Sequence, residues 1–146
     1  MTAQVPHEDE DTGPEARVAR HLSATGHQVT AQRMRLARLI FARPQHLSAE
    51  DVLRMAMAAG IKVSKATVYN TLNLFAECGL VREVNVDSDR LYYDSTTTPH
   101  HHFFNEDTGE LSDVPLDAVS VDNLPEPPAG TETAGIEVVI RLSNSR

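Results

Sequence analysis

The chain has no tryptophan, one cysteine, three tyrosines and four phenylalanines among its 146 residues, and each shortage excludes something. Cys78 alone can neither close an internal disulfide nor build a thiolate zinc centre. No apolar run approaches the roughly 20 residues that span a bilayer. The start, MTAQVPHEDEDTGPE, is polar and acidic and has no secretory pattern. Neither a Gly-rich phosphate loop nor a Ser/His/Asp motif is visible. These absences predict a cytoplasmic protein, away from membranes, of one ordinary domain or two small ones with a modest core.

What is present is unevenly spread. The net charge of −8 argues at first against nucleic acid, but residues 1–14 carry four acids and no base. Residues 15–84 hold ten Lys or Arg against five acids, and residues 85–146 hold three arginines against twelve acids. A basic middle masked by acidic ends suggests a polyanion-binding module joined to a part with another task, although small domains also vary in charge by chance.

The composition predicts a disordered acidic tail over 1–14. A first helix follows Pro14 through EARVARHLSATG and closes near Gly26. A second starts from Thr30 as N-cap, runs to Arg43 before Pro44, and buries Met34, Ala37, Ile40 and Phe41. A third opens on the capping box of Ser48 and Asp51 and ends at Gly60. A fourth starts at Ser64, covers KATVYNTLNLFAEC and ends at Gly79. The period then changes to two: LVREVNV, DSDR and LYYD read as strand, turn and strand. Helix-turn-helix followed by a hairpin is a winged helix over 15–94. STTTP (95–99) reads as a hinge. HHHFFN, ELSDV and GIEVVIRL are strands of a small α/β unit over 100–146, too small to stand alone comfortably and expected to dimerise. The fold class is α+β.

On the fourth helix Val68, Leu72 and Phe75 point one way, with Ala76 and Thr71 beside them. Ala66, Tyr69, Asn70 and Asn73 point the other way and form a small, uncharged, hydrogen-bonding surface suited to a major groove, with Thr67 near the helix start. The Tyr69 ring can pack on a thymine methyl and Asn70 can pair with adenine. Lys62, Lys65, Arg33 and Arg35 are candidates for phosphate contact. The plain alternative is a solvated helix face.

PHHHFFNEDTGELSDV (99–114) raises the remaining question. His100 and His102 fall on one side of an extended strand and His101 on the other. Metal, haem and simple solvation compete to explain the three imidazoles. Asp94 ends the wing, Asp113 lies on the next strand and His46 precedes the third helix. A site of His46, Asp94, His100, His102 and Asp113 would tie the two parts together, and its nitrogen and carboxylate donors suit Fe²⁺, Mn²⁺ or Zn²⁺.

Together, TAQRMRLARLIF, HLSAEDVL, KATVYNTLNLF and HHHFFNEDTGELSDV resemble the ferric uptake regulator family across about residues 15–114. The resemblance implies a dimeric winged-helix repressor that binds AT-rich inverted repeats in double-stranded DNA and responds to iron. It aligns His46 with a helix-borne ligand, and His100 and His102 with the ligand pair of the histidine cluster. Asp94 and Asp113 stand where the family usually has Glu, Asp94 with a one-residue gap. Tyr69 matches the base-contacting tyrosine, while Asn70 stands where many members have Arg. The family's Cys-X-X-Cys positions are Asn105 and Thr108 here, no cysteine pair lies near the C-terminus, and Pro99 replaces a likely ligand of the second metal site. The resemblance therefore implies no structural zinc. It points to the iron response regulator (Irr) branch, in which the triplet His100, His101 and His102 is tied to haem sensing, with a haem-supplying protein as a further partner. Irr-type proteins can repress when iron is scarce and lose activity when haem is available. The Cys-Pro haem motif of some members is missing, and Cys78 reads as a packing residue.

Two other classes are weighed against this one. His-X-His with a carboxylate also builds oxygenase iron sites, but those need a barrel and a substrate pocket that residues 100–146 cannot form, so no enzyme is expected. A purely architectural DNA-binding protein would bind DNA equally with and without metal or haem.

Overall fold

The structure is a computed structural model and describes residues 13–87 and 89–145. All but the last two residues of the expected acidic tail lie outside them. The chain divides into a unit ending at Thr97 and a unit beginning at Thr98.

The first unit contains α1 (Pro14–Ala24), α2 (Ala31–Ile40), β1 (His46–Ser48), α3 (Ala49–Ala58), α4 (Lys65–Glu77), β2 (Arg82–Asp87) and β3 (Arg90–Asp94). Local chemistry sets the helix starts. Thr30 Oγ1 accepts from the Arg33 amide at 3.1 Å, and Ser64 Oγ accepts from the Thr67 amide at 3.1 Å. Ser48 and Asp51 form both arms of a capping box, at 3.1 and 3.0 Å. α3 and α4 end alike, on Gly60 and Gly79 at φ +72° and +74°. There the Ile61 and Leu80 amides fold back to the carbonyls of Ala56 and Phe75, each at 2.8 Å.

α2 stops at Ile40, three residues before the expected end. The Gln45 side-chain amide donates to the Leu39 and Ile40 carbonyls at 2.8 and 2.9 Å, which satisfies two acceptors the helix would otherwise leave bare. α2 buries Leu36 as well as Ala37 and Ile40, while Met34 and Phe41 are only partly covered. Phe75, Leu72, Val68, Val52, Leu36 and Leu22 have no exposure and form the centre of the core. The sheet order is β1-β3-β2, antiparallel throughout. Sequence reading missed β1, which is three residues long and too short to show a period.

The second unit contains β4 (His101–Asn105), β5 (Leu111–Val114), a 3-10 turn (Leu116–Ala118) and β6 (Val139–Leu142). The order is β5-β4-β6, with β4 antiparallel to β5 and parallel to β6. Asn105 shapes the β4–β5 turn, its Oδ1 accepting from the amides of Asp107 and Thr108 at 2.9 and 3.1 Å. Among the described residues the helical part of this unit is the single 3-10 turn. The α+β class holds for the chain.

Candidate metal centre and nucleic-acid interface

In the first unit, β1 and β3 place His46 directly opposite Asp94. Paired residues of an antiparallel ladder share a face, and His46 Nε2 lies 3.1 Å from Asp94 Oδ2. Asp94 is fully buried. Its other oxygen accepts from the Thr96 amide at 2.9 Å, which orients the carboxylate.

In the second unit, His100 immediately precedes β4 and His102 lies on it. The alternation of an extended chain turns both to one side, with ring centroids 4.5 Å apart. Asp113 on β5 is the register partner of His102. Its Oδ1 lies 2.9 Å from His100 Nε2 and 3.8 Å from His102 Nε2. His100 Nδ1 lies 2.7 Å from the Thr98 carbonyl. A carbonyl can only accept, so Nδ1 donates to it, an outer hydrogen bond of the kind that metal-binding imidazoles make. His101 points the other way, and its Nδ1 accepts from the Val138 amide at 3.0 Å, tying β4 to the approach to β6. Exposures of 7%, 4% and 0% for His100, His101 and His102 set aside the solvated reading of the triplet.

These separations can be tested against a metal. Two ligands bonded at about 2.1 Å to one ion sit about 3.0 Å apart at a right angle and about 3.4 Å apart in a tetrahedron. The imidazole–carboxylate distances of 3.1, 2.9 and 3.8 Å bracket those values, and the ligand atoms of His100, His102 and Asp113 lie within 4.8 Å of one another. The donor chemistry fits Fe²⁺, Mn²⁺ or Zn²⁺. Neither unit's set reaches the four ligands of a closed site. Cys78 does not belong to either set: it caps α4 with Sγ 3.6 Å from His27 Nδ1.

α4 buries Val68, Thr71, Leu72 and Phe75 and leaves Ala66, Tyr69, Asn70 and Asn73 exposed. Lys62, Lys65 and Arg35 are also exposed. Arg33, Thr67 and Asn73, among the expected DNA-facing residues, have partners inside the protein. Arg33 Nη1 donates to the Gln28 carbonyl at 2.5 Å. Thr67 Oγ1 lies 2.9 Å from Ser64 Oγ in the helix cap. Asn73 Oδ1 accepts from the Tyr93 hydroxyl at 3.1 Å, and burial pushes that phenol's pKa up.

One residue on this face escaped the sequence reading. The Tyr69 hydroxyl donates to Glu50 Oε1 at 2.8 Å. Lys65 Nζ stands 3.9 Å from the same oxygen and 5.8 Å from the centre of the Tyr69 ring. The Tyr69 hydrogen bond, above all, holds the Glu50 carboxyl below its usual range, and Glu50 in turn raises the Tyr69 hydroxyl. In the sequence Glu50 reads as an ordinary first-turn acid at a helix N-terminus. Only the crossing of α3 and α4 brings it to Tyr69.

The sequence pattern of the ferric uptake regulator family matches residues 24–136. The chain is 37% identical over 92 residues to the ferric uptake regulation protein of Pseudomonas aeruginosa, covering 62% of this chain and 69% of that one. It is 32% identical over 92 residues to the peroxide operon regulator of Bacillus subtilis, covering 63% of each. The alignments thus span 63% to 69% of the length of these two relatives. A solved structure of the P. aeruginosa ferric uptake regulator with manganese matches at a TM-score of 0.65 and 27% identity, covering 87% of this chain and 97% of that one. The chain belongs to the ferric uptake regulator family, whose members are transcription regulators.

Proposed function

We propose that the protein is a homodimeric, cytoplasmic transcription repressor that binds AT-rich inverted repeats and is controlled by a divalent metal held by His46, Asp94, His100, His102 and Asp113. One observation carries the reading: imidazole–carboxylate groups at ligand spacing occur on both sides of the segment 95–99, with Asp94, His100 and His102 buried. Asp94 and His100 are six residues apart, so the chain lets them separate by at most about 21 Å. A bound Fe²⁺, Mn²⁺ or Zn²⁺ ion would supply a fixed link between the two donor sets.

The chain's own residues do the rest. His46 and Asp94 hang on the strands packed under α3, and α3 packs on α4. Placing β1 and β3 therefore places the helix that carries Tyr69 and Asn70. In a dimer, two such helices must meet half-sites about one DNA turn apart, and ligand binding selects the arrangement that matches. Lys62, Lys65 and Arg35 meet phosphates and set register, while Tyr69 and Asn70 read bases.

A second reading is haem sensing at His100, His101 and His102, as in the Irr branch. It is favoured by the run of three imidazoles and by Asn105 and Thr108 at the family's thiolate positions. Haem would compete for His100 and His102 and would have to take His101 from the Val138 amide.

Fluorescence anisotropy of an AT-rich inverted-repeat duplex at fixed salt, first with metal-free protein, then with Mn²⁺, then with haem, tests both readings. Tighter binding with Mn²⁺ that is lost in His102→Ala supports the metal reading. Release by haem that is lost when all three histidines become Ala supports the Irr reading. Equal binding in every state would leave an architectural DNA-binding protein. Tyr69→Ala should weaken the duplex by about 1–3 kcal/mol and Tyr69→Phe by much less; equal losses would assign the reading to the hydroxyl instead of the ring.

A further inference from the structure

We infer that Glu50 is a specificity-setting residue of the DNA-facing surface, a built-in anion that restrains Tyr69 and Lys65 and weakens attraction to any duplex that offers Tyr69 no base contact. The inference rests on the DNA-binding reading above and adds a residue to it.

The geometry is specific. Glu50 stands on the first turn of α3, and its side chain is half exposed. It reaches across to α4, where one oxygen takes the Tyr69 hydroxyl at 2.8 Å and faces Lys65 at 3.9 Å. Lys65 is thus shared between the Glu50 carboxylate and the Tyr69 ring, 5.8 Å away. Neighbouring Asp51 is occupied by the capping box and by an ion pair with Arg54. The Glu50 carboxylate also meets its own backbone amide in the first turn of α3, and its negative charge faces one of the candidate phosphate-binding groups, Lys65.

The consequences follow from general electrostatics. Non-specific binding is almost wholly attraction of cations to phosphates, so a carboxylate beside those cations subtracts from affinity for every sequence. Base contacts are available only at the right site. There, packing of the Tyr69 ring on a base offsets the loss of its hydrogen bond to Glu50. At a wrong site Lys65 must leave Glu50, or bring it towards a phosphate, with nothing gained in return. An element that disfavours the competing complex raises discrimination even though it weakens every complex.

The test is Glu50→Gln, which keeps an acceptor for the Tyr69 hydroxyl and removes the charge. Full-length, Mn²⁺-loaded protein would be titrated with an AT-rich inverted-repeat duplex and with a GC-rich duplex of equal length, from low to high salt. One additional effective cation steepens the log–log salt slope by about 0.9, which corresponds to about an eightfold gain in affinity at 0.1 M salt relative to 1 M. The gain should be larger on the GC-rich duplex, so the ratio of the two affinities falls. Adding Lys65→Ala to Glu50→Gln should remove the steepening. A merely structural Glu50 would alter stability and leave slope and ratio unchanged, which would overturn the inference. Binding of neither duplex by wild type or Glu50→Gln would overturn the DNA-binding reading as well. Specific binding by wild type with an unaltered slope in the variant would overturn this inference alone.

Discussion

In the unit that ends at Thr97, the described side chains with no exposure are Leu22, Leu36, Ala37, Val52, Ala56, Val68, Leu72 and Phe75, together with one carboxylate, Asp94. In the unit that begins at Thr98, the described buried residues are Phe104, Leu111 and Val114 beside three imidazoles, His100, His101 and His102. The first interior is apolar with a polar group at its edge, and the second is half polar. Apolar burial stabilises whatever else is present. A buried imidazole stabilises only when its nitrogens have partners, because an unsatisfied polar group in the interior costs free energy. The helical unit should therefore keep its fold on its own account, whereas the stability of the sheet unit should follow what its histidines hold.

The largest expected effect breaks the apolar side of this contrast. Phe75 sits at the centre of the core, tilted against Phe41 at 5.9 Å between centroids. Phe75→Ala should cost about 3–5 kcal/mol, enough to unfold a marginal domain. Thermal unfolding followed by helical circular dichroism reports it cleanly, because α1 to α4 all lie in that unit. A loss below about 1 kcal/mol would mean the core can collapse around the gap and does not depend on this ring.

Metal addition tests the polar side. Mn²⁺ at a hundred times its dissociation constant should stabilise the folded protein by about 2.7 kcal/mol, read as a raised calorimetric midpoint, and a chelator should reverse the gain. His102→Ala should abolish it, because that ring is fully buried beside His100 and faces Asp113. If His102→Ala kept the whole gain, the interior of the sheet unit would be stable without an ion, and the contrast would reduce to composition.

The two units also differed in how far the sequence disclosed them. Helix caps and apolar periods are local, so Thr30, Ser48, Ser64, Gly60 and Gly79 mark boundaries that the structure repeats. The end of α2 was misplaced because its stop signal is a side chain, Gln45, that reaches back to two carbonyls. β1 was invisible because three residues cannot express a period of two. His46 does precede α3, but that it stands on a strand in register with Asp94 shows only in the fold. In the second unit the alternation of His100, His101 and His102 was legible, since a strand fixes it. The role of His101 was not, because its partner Val138 is distant in sequence. Glu50 escaped for the same reason: chemistry made between elements leaves no mark on either one.

The smallest expected effect separates local stability from the placing of the candidate ligands. Ser48 ends β1 and caps α3, whereas Ser64 caps α4 on the exposed side. Replacing either with Ala removes one side-chain acceptor and should cost about 1 kcal/mol, read as equal shifts of the urea midpoint at constant slope. In Ser48→Ala the return arm, Asp51 Oδ2 to the Ser48 amide, survives because it uses backbone, which keeps the loss from growing. The two variants should part on metal. Ser48 lies two residues from His46 on a three-residue strand whose whole pairing is His46, Leu47 and Ser48 against Asp94, Tyr93 and Tyr92. Loosening its end should loosen His46 and weaken Mn²⁺ binding measured by calorimetric titration. Ser64→Ala, at the start of a helix that carries none of the five candidate ligands, should leave Mn²⁺ binding unchanged. Equal metal affinity in the two variants would mean that Asp94 and the ladder's first pair hold His46 without help from the cap, and that the first unit's donor pair is as rigid as its apolar core.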